Sequence, residues 1–308
     1  MSVKQIRVKI NNAWTVLTYN ASSGNYEATI SAPNITSYNV NSGHYYPVTV
    51  EATNLAGTIT LVDDTDSTLG SSLRLKVKEG TAPVISITKP TASAYLGTNT
   101  PEIAFTITDE TNGSGVNISS LTIKVDNNSA INNTSAGVTV TSITGGYSVK
   151  YIPQTALSDG AHTVTLNCSD YDGNAATSKS VSFTVDTVAP ILTVTQPAED
   201  NMYVANSSLT VTGTTNDATS SVATVTIKLN NVDQGTVNVN SSGSFSKVIT
   251  LASGVNTLEV TSTDKAGKST TIRRTINLDT SSIKIVSATI TPNPVSTGNS
   301  FVISVKIE

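Results

Sequence analysis

The sequence predicts an all-β protein, a tandem series of small two-layer β-sandwich domains in an elongated array. Three observations predict it: apolar residues alternating with a period of two, a composition dominated by turn-forming and β-branched residues, and motifs that recur along the chain. Val164, Leu166 and Cys168 point one way while Thr163, Thr165 and Asn167 point the other, as in a strand with one buried face. Leu258, Val260 and Ser262 keep the same register. Charged residues make up 13% of the chain, against about 25% in an ordinary globular protein. Thr and Val suit a half-buried pleated strand, and Asn, Ser and Gly suit turns. No segment carries a 3.6-residue period, so helices are expected only as incidental turns.

The recurring motifs set the domain boundaries. Ala82-Pro83-Val-Ile-Ser-Ile-Thr-Lys-Pro90 returns as Ala189-Pro190-Ile-Leu-Thr-Val-Thr-Gln-Pro197. Val164-Thr-Leu-Asn-Cys-Ser-Asp170-Tyr-Asp-Gly173 returns as Leu258-Glu-Val-Thr-Ser-Thr-Asp264-Lys-Ala-Gly267, and in weaker form as Val48-Thr-Val-Glu-Ala-Thr-Asn54-Leu-Ala-Gly57. Domains are therefore expected at residues 1–80, 81–187 and 188–280, with residues 281–308 as a C-terminal β segment resembling the first strands of a fourth. Short turns at Asn127-Asn128, Gly145-Gly146, Asn230-Asn231 and Ser241-Ser-Gly243 separate the strands. The Ala-Pro junctions restrict the backbone to extended geometry and make short, semi-rigid linkers.

Composition also narrows the partners. A net charge of −4 without basic clusters argues against nucleic acid or an anionic membrane, and no run reaches membrane-spanning length. The start of the sequence has no apolar signal region, which points away from the general export route. Cys168 is alone, so no internal disulfide or multi-cysteine metal site is expected.

Candidates for chemistry are few. His44 and His162 precede strands at comparable points of two repeats, and Asn256 holds that place in the third. Exchange for Asn suits a turn residue better than a catalytic base. Cys168 sits on an inward strand face and matches Ser262, as a small buried residue would. No phosphate-binding loop, nucleophile elbow or His-Glu-x-x-His is present, and no enzyme activity is expected. Calcium is the one cofactor the residues suggest. Asp170 and Asp172 in one turn, Asp109 with Glu110 and Asn112, and the run Asp63-Asp64-Thr-Asp66 gather the oxygen ligands that calcium takes. Solvated turn acids are the alternative, and the replacement of Asp172 by Ala266 in the sister turn weakens a repeated site. Trp14, alternating with Val16, reads as a core residue, although the aromatics of the first domain could also form an exposed platform.

The repeated pattern at residues 160–173 and 254–267 resembles bacterial and phage immunoglobulin-like domains. Residues 17–33 and 45–50, with Ala288-Thr-Ile-Thr-Pro-Asn-Pro-Val-Ser-Thr-Gly298, resemble tail-associated structural proteins of phages of Gram-positive bacteria. The resemblance implies a non-enzymatic tail or baseplate protein located in the virion, with host-surface adhesion as an added role. It implies other virion proteins, self-association and a host-surface glycan as partners, and it transfers no catalytic residue. The alternatives are a bacterial cell-surface adhesin or S-layer-like stalk, and the accessory region of a carbohydrate-active enzyme.

Overall fold

The computed structural model describes residues 2–33 and 36–308. Among them there is no α-helix; two 3₁₀ turns, Tyr38–Val40 and Gly70–Leu73, interrupt a chain of strands. The chain divides into two compact units, Met1–Val185 and Asp186–Glu308.

The first domain of the first unit contains β1 (Val3–Ile10), β2 (Ala13–Asn20), β3 (Asn25–Glu27), β4 (Tyr46–Asn54), β5 (Ile59–Val62) and β6 (Arg74–Leu75). They form one sheet in the order β3-β2-β1-β4-β5, with β6 on the far end of β4. Asn11 and Asn12, both at positive φ, make the two-residue turn between β1 and β2, a conformation Asn tolerates and one that matches strand twist. Ile6, Val8 and Ile10 face Leu17, Val48, Val50 and Ala52 across the ladder. Among the described residues of this domain, only Val8, Tyr46 and Val77 are buried hydrophobics. The closed two-layer stack expected here is thus replaced by a single sheet. Much of the chain after β5 forms acid-capped turns instead of an opposing sheet.

The second domain is a true sandwich. Its strands are β7 (Val84–Lys89), β8 (Tyr95–Leu96), β9 (Ile103–Thr108), β10 (Val116–Val125), β11 (Val138–Ile143), β12 (Gly146–Tyr151), β13 (Gly160–Asp170) and β14 (Lys179–Val185). One sheet runs β10-β13-β14-β8 and the other β11-β12-β9-β7. The predicted alternation sets the core directly: Val164, Leu166 and Cys168 are buried with Phe105, Ile107, Ile123, Val149 and Phe183. On the outer face, Thr163 and Thr165 pair their hydroxyls with Ser182 and Ser180 at 2.8 and 2.9 Å. Full burial of each Ile, Leu or Phe contributes roughly 1.5–3 kcal/mol.

The third domain repeats the plan with β15 (Ile191–Gln196), β16 (Met202–Val204), β17 (Ser208–Asn216), β18 (Val222–Leu229), β19 (Val232–Asp233), β20 (Ser244–Thr250), β21 (Gly254–Asp264) and β22 (Ser269–Leu278). Its sheets run β15-β17-β20 and β16-β22-β21-β18-β19. Leu258, Val260, Ile227, Phe245 and Ile276 lie at the centre of its core. In both domains a short strand joins the last long one in parallel, β8 on β14 and β16 on β22. The C-terminal segment is a hairpin of β23 (Ile285–Thr291) and β24 (Val302–Ile307), whose residues are all exposed.

Candidate carboxylate clusters at the strand ends

Strand geometry brings together acids that lie far apart in sequence. Asp170 closes β13, Asp109 follows β9, and Glu79 lies four residues before Pro83 in the segment that enters the second domain. A carboxylate oxygen from each of the three lies within 4.8 Å of the others. Asp170 is 1% exposed. Its Oδ1 accepts the N–H groups of Gly173 and Asn174 at 2.6 and 2.8 Å, and its Oδ2 accepts Asn174 Nδ2 at 2.7 Å. Asp109 Oδ2 accepts Gly115 N–H at 2.7 Å, while its buried Oδ1 has no hydrogen-bond partner. Glu79 Oε1 accepts from Asn174 Nδ2 at 2.9 Å and from Ser114 Oγ at 3.3 Å. Burial and the neighbouring Asp170 carboxyl push Glu79 above the ordinary carboxylate range. Burial and the adjoining Asp109 push Glu110 up to about 6.

The same construction recurs in the second unit. Asp186 lies four residues before Pro190, Asp217 follows β17, and Asp264 closes β21. Here too one carboxylate oxygen from each lies within 4.8 Å of the others. Asp186 is completely buried and Asp264 is 2% exposed. Backbone N–H groups hold the set in place. Asp217 Oδ1 accepts from Thr219, Ser220 and Ser221 at 3.0, 2.8 and 3.1 Å. Asp186 Oδ2 accepts from Ser220 at 3.1 Å, and Asp264 Oδ1 from Lys268 at 2.8 Å. Asp264 Oδ2 and Ser220 Oγ are buried without a hydrogen-bond partner. Both clusters are oxygen-only, the chemistry of a hard cation.

Of the sequence candidates, the structure brings Asp109 and Asp170 together and directs Asp172 elsewhere. Asp172 Oδ1 accepts Asn39 Nδ2 at 2.6 Å, its Oδ2 accepts Glu79 N–H at 2.9 Å, and its carbonyl accepts Lys78 Nζ at 2.7 Å. It fastens the first domain to the second. Asp63 and Asp66 accept N–H groups of their own turns, and Asp64 accepts the Tyr45 hydroxyl at 2.7 Å. Glu79, Asp186 and Asp217 were not singled out from sequence, and Asp264 was read only as the acid of a repeated turn. The signal was there, because an acid stands four residues before the proline in both repeats.

The remaining candidates occupy structural positions. His44 sits at positive φ in a turn. His162 is 7% exposed, with Nδ1 at 2.7 Å from Asp126 and Nε2 at 2.8 Å from the Ser158 carbonyl. Asn256 does the equivalent work in the third domain, bridging Asn230, Ala252 and Gly254. Burial pushes the Cys168 thiol up. Trp14 departs from the core position expected of it: it is 39% exposed, with the Arg7 guanidinium 4.3 Å over its ring. A single sheet has no second layer to cover that face.

Residues 79–187 match the family model of a bacterial Ig-like domain, and residues 190–280 match glucodextranase domain B. No curated protein matches the chain. Among solved structures, fibronectin(III)-like modules of CbhA from Clostridium thermocellum align at 16% identity over 63% of this chain and 94% of theirs, with a TM-score of 0.40. Titin domains I67–I69 align at 14% identity over 90% of this chain and 88% of theirs, with a TM-score of 0.37. A tetra-tandem repeat from the extending region of a large adhesion protein aligns at 19% identity over 98% of this chain and 79% of its own, with a TM-score of 0.31.

Proposed function

We propose that the chain is a non-catalytic structural module of a phage virion, placed in the tail or baseplate, with adhesion to the host surface as a secondary role. Its tandem Ig-like architecture supports a structural or adhesion-type module. The C-terminal hairpin carries the assembly part of the reading. Ile285, Ile290, Val302, Ile303, Val305 and Ile307 are all exposed on it, and an exposed apolar strand edge is a template for pairing with another chain. The partners in this reading are other virion proteins and further copies of the chain. The exposed Trp14 and Tyr19 of the first domain offer flat aromatic surface to a host glycan. The resemblance of residues 17–33 and 288–298 to tail-associated proteins supports the virion as the location.

Mass spectrometry of purified particles tests the reading. The chain is expected among the virion proteins, and its absence from particles would remove the proposal. A variant ending at Asp279 is expected to keep its folded domains and lose incorporation; unchanged incorporation would count against docking through the hairpin.

A second reading is favoured by the match of residues 190–280 to glucodextranase domain B: an accessory region of a carbohydrate-active enzyme. It predicts glycan binding by the chain and a catalytic domain within the same gene product.

A further inference from the structure

We propose that Asp186, Asp217 and Asp264, together with the hydroxyl of Ser220, form a calcium site, and that Glu79, Asp109 and Asp170 form its counterpart in the first unit. The acids alone would not carry this. The decisive feature is the pair of polar atoms left without a partner in the interior. Asp264 is 2% exposed and its Oδ2 has no hydrogen-bond partner, although Lys268 N–H engages its Oδ1. Ser220 is completely buried and its Oγ has none either, although its N–H serves both Asp186 and Asp217. A buried carboxylate oxygen and a buried hydroxyl that forgo hydrogen bonds are costly unless another ligand satisfies them. The Ser220 backbone N–H is bonded to two of the three carboxylates, which sets this residue, with its unpartnered hydroxyl, beside the cluster that holds Asp264 Oδ2.

The geometry fits the ion. Oxygens around calcium sit at about 2.3–2.6 Å from it, so two ligands of one ion lie at most about 5 Å apart. One carboxylate oxygen from each of the three acids lies within 4.8 Å of the others. The backbone N–H groups on Asp186, Asp217 and Asp264 fix the carboxylates in place, as outer hydrogen bonds orient ligands in metal sites. Magnesium keeps several of its waters, and a cluster in which two of three acids are buried has little room for them.

The repetition is independent support. Asp186 and Glu79 both lie four residues before the Ala-Pro proline. Asp217 and Asp109 both follow the strand paired to the first strand of their domain. Asp264 and Asp170 face Val222 and Val116 in the same register. The first cluster also leaves a buried oxygen, Asp109 Oδ1, without a partner. Each site would tie the segment that enters a domain to two loops at the end of that domain. The assignment holds whether the chain works in a virion or elsewhere.

Calorimetric titration of the chelator-treated full chain with calcium chloride tests it, with magnesium chloride as comparator. Two calcium ions per chain are expected, with magnesium at least tenfold weaker. Asp217→Asn, at a partly exposed loop position, should remove one ion, and Asp109→Asn the other. Thermal unfolding gives a second readout that does not depend on those variants. Calcium should raise the midpoint of the wild-type chain relative to EDTA, because it binds only the folded form. Ser220→Ala should match the wild type in EDTA and lose about tenfold in calcium affinity. The proposal is overturned if calcium neither binds at millimolar concentration nor shifts the midpoint. It is equally overturned if Asp217→Asn keeps both ions, or if Ser220→Ala is destabilised to the same extent with and without calcium.

Discussion

His162 and Asn256 show how one position in two sister domains can be filled by different chemistry. In the second domain the imidazole bridges Asp126 and the Ser158 carbonyl, and Asp126 also accepts Thr163 N–H at 2.8 Å. In the third, Asn230 accepts Thr257 N–H at 2.8 Å and pairs with Asn256. The neutral pair has no titration; the ionic one does. Burial alone would lower the His162 pKa, but the bonds to Asp126 and Ser158 outweigh it and leave it raised above its ordinary 6.5. A group with a raised folded pKa stabilises fully below its unfolded value and loses that contribution as pH rises through the folded value. The urea midpoint of the second domain should therefore fall as pH rises from about 6.5, and His162→Asn should flatten the profile. A wild-type midpoint insensitive to pH over that range would sink this. Cys168 gives a second check at this scale. At 4% exposure and with its pKa raised by burial, its thiol should resist maleimide in the native chain and react on unfolding; rapid native labelling would contradict its placement.

At this scale the sequence was legible where a role is local. Cys168 was readable as an interior residue and His162 as a structural one because their sister positions hold Ser262 and Asn256. His162, however, does not precede its strand or sit in a turn: it lies buried within β13. Asp172 was not, because its partners, Asn39, Lys78 and Glu79, lie in another domain. No spacing inside the turn reveals that contact.

Among the elements, the strands ending at Asp170 and Asp264 were the easiest to read, since a period of two names the buried face without further information. The inner positions of β13 and β21 are buried as that period requires. The same rule misplaced Trp14, because alternation identifies a face and cannot tell whether another layer covers it. Close approaches between strands were also invisible from sequence. Gly213 in β17 lies under Phe245, and a Cβ there would collide with the ring and with the Thr193 carbonyl oxygen. Gly213→Ala must displace a core aromatic and a paired backbone, an overpacking that costs typically about 1–3 kcal/mol. Chemical denaturation should show a loss of that order in the third domain; a neutral substitution would mean that the ring does not rest on that glycine.

For the molecule as a whole, the structure divides into two compact units, Met1–Val185 and Asp186–Glu308. Among the described residues each unit holds one extensive hydrophobic core, in the second and third predicted domains. Sequence reading named Asp109 and Asp170 but in separate turns, and missed their grouping and the second cluster, because each cluster draws on three separate elements that only folding gathers. The account's central claim is that the second and third domains each close around their own hydrophobic core. Hydrogen exchange on the full chain, read by mass spectrometry for the wild type and Ile227→Ala, tests it most directly. Ile227 is fully buried in the third domain, and its truncation should cost about 2–5 kcal/mol. The account predicts lost protection across β15 to β22 and unchanged protection across β7 to β14. Loss of protection in β7 to β14 to the same degree would contradict it.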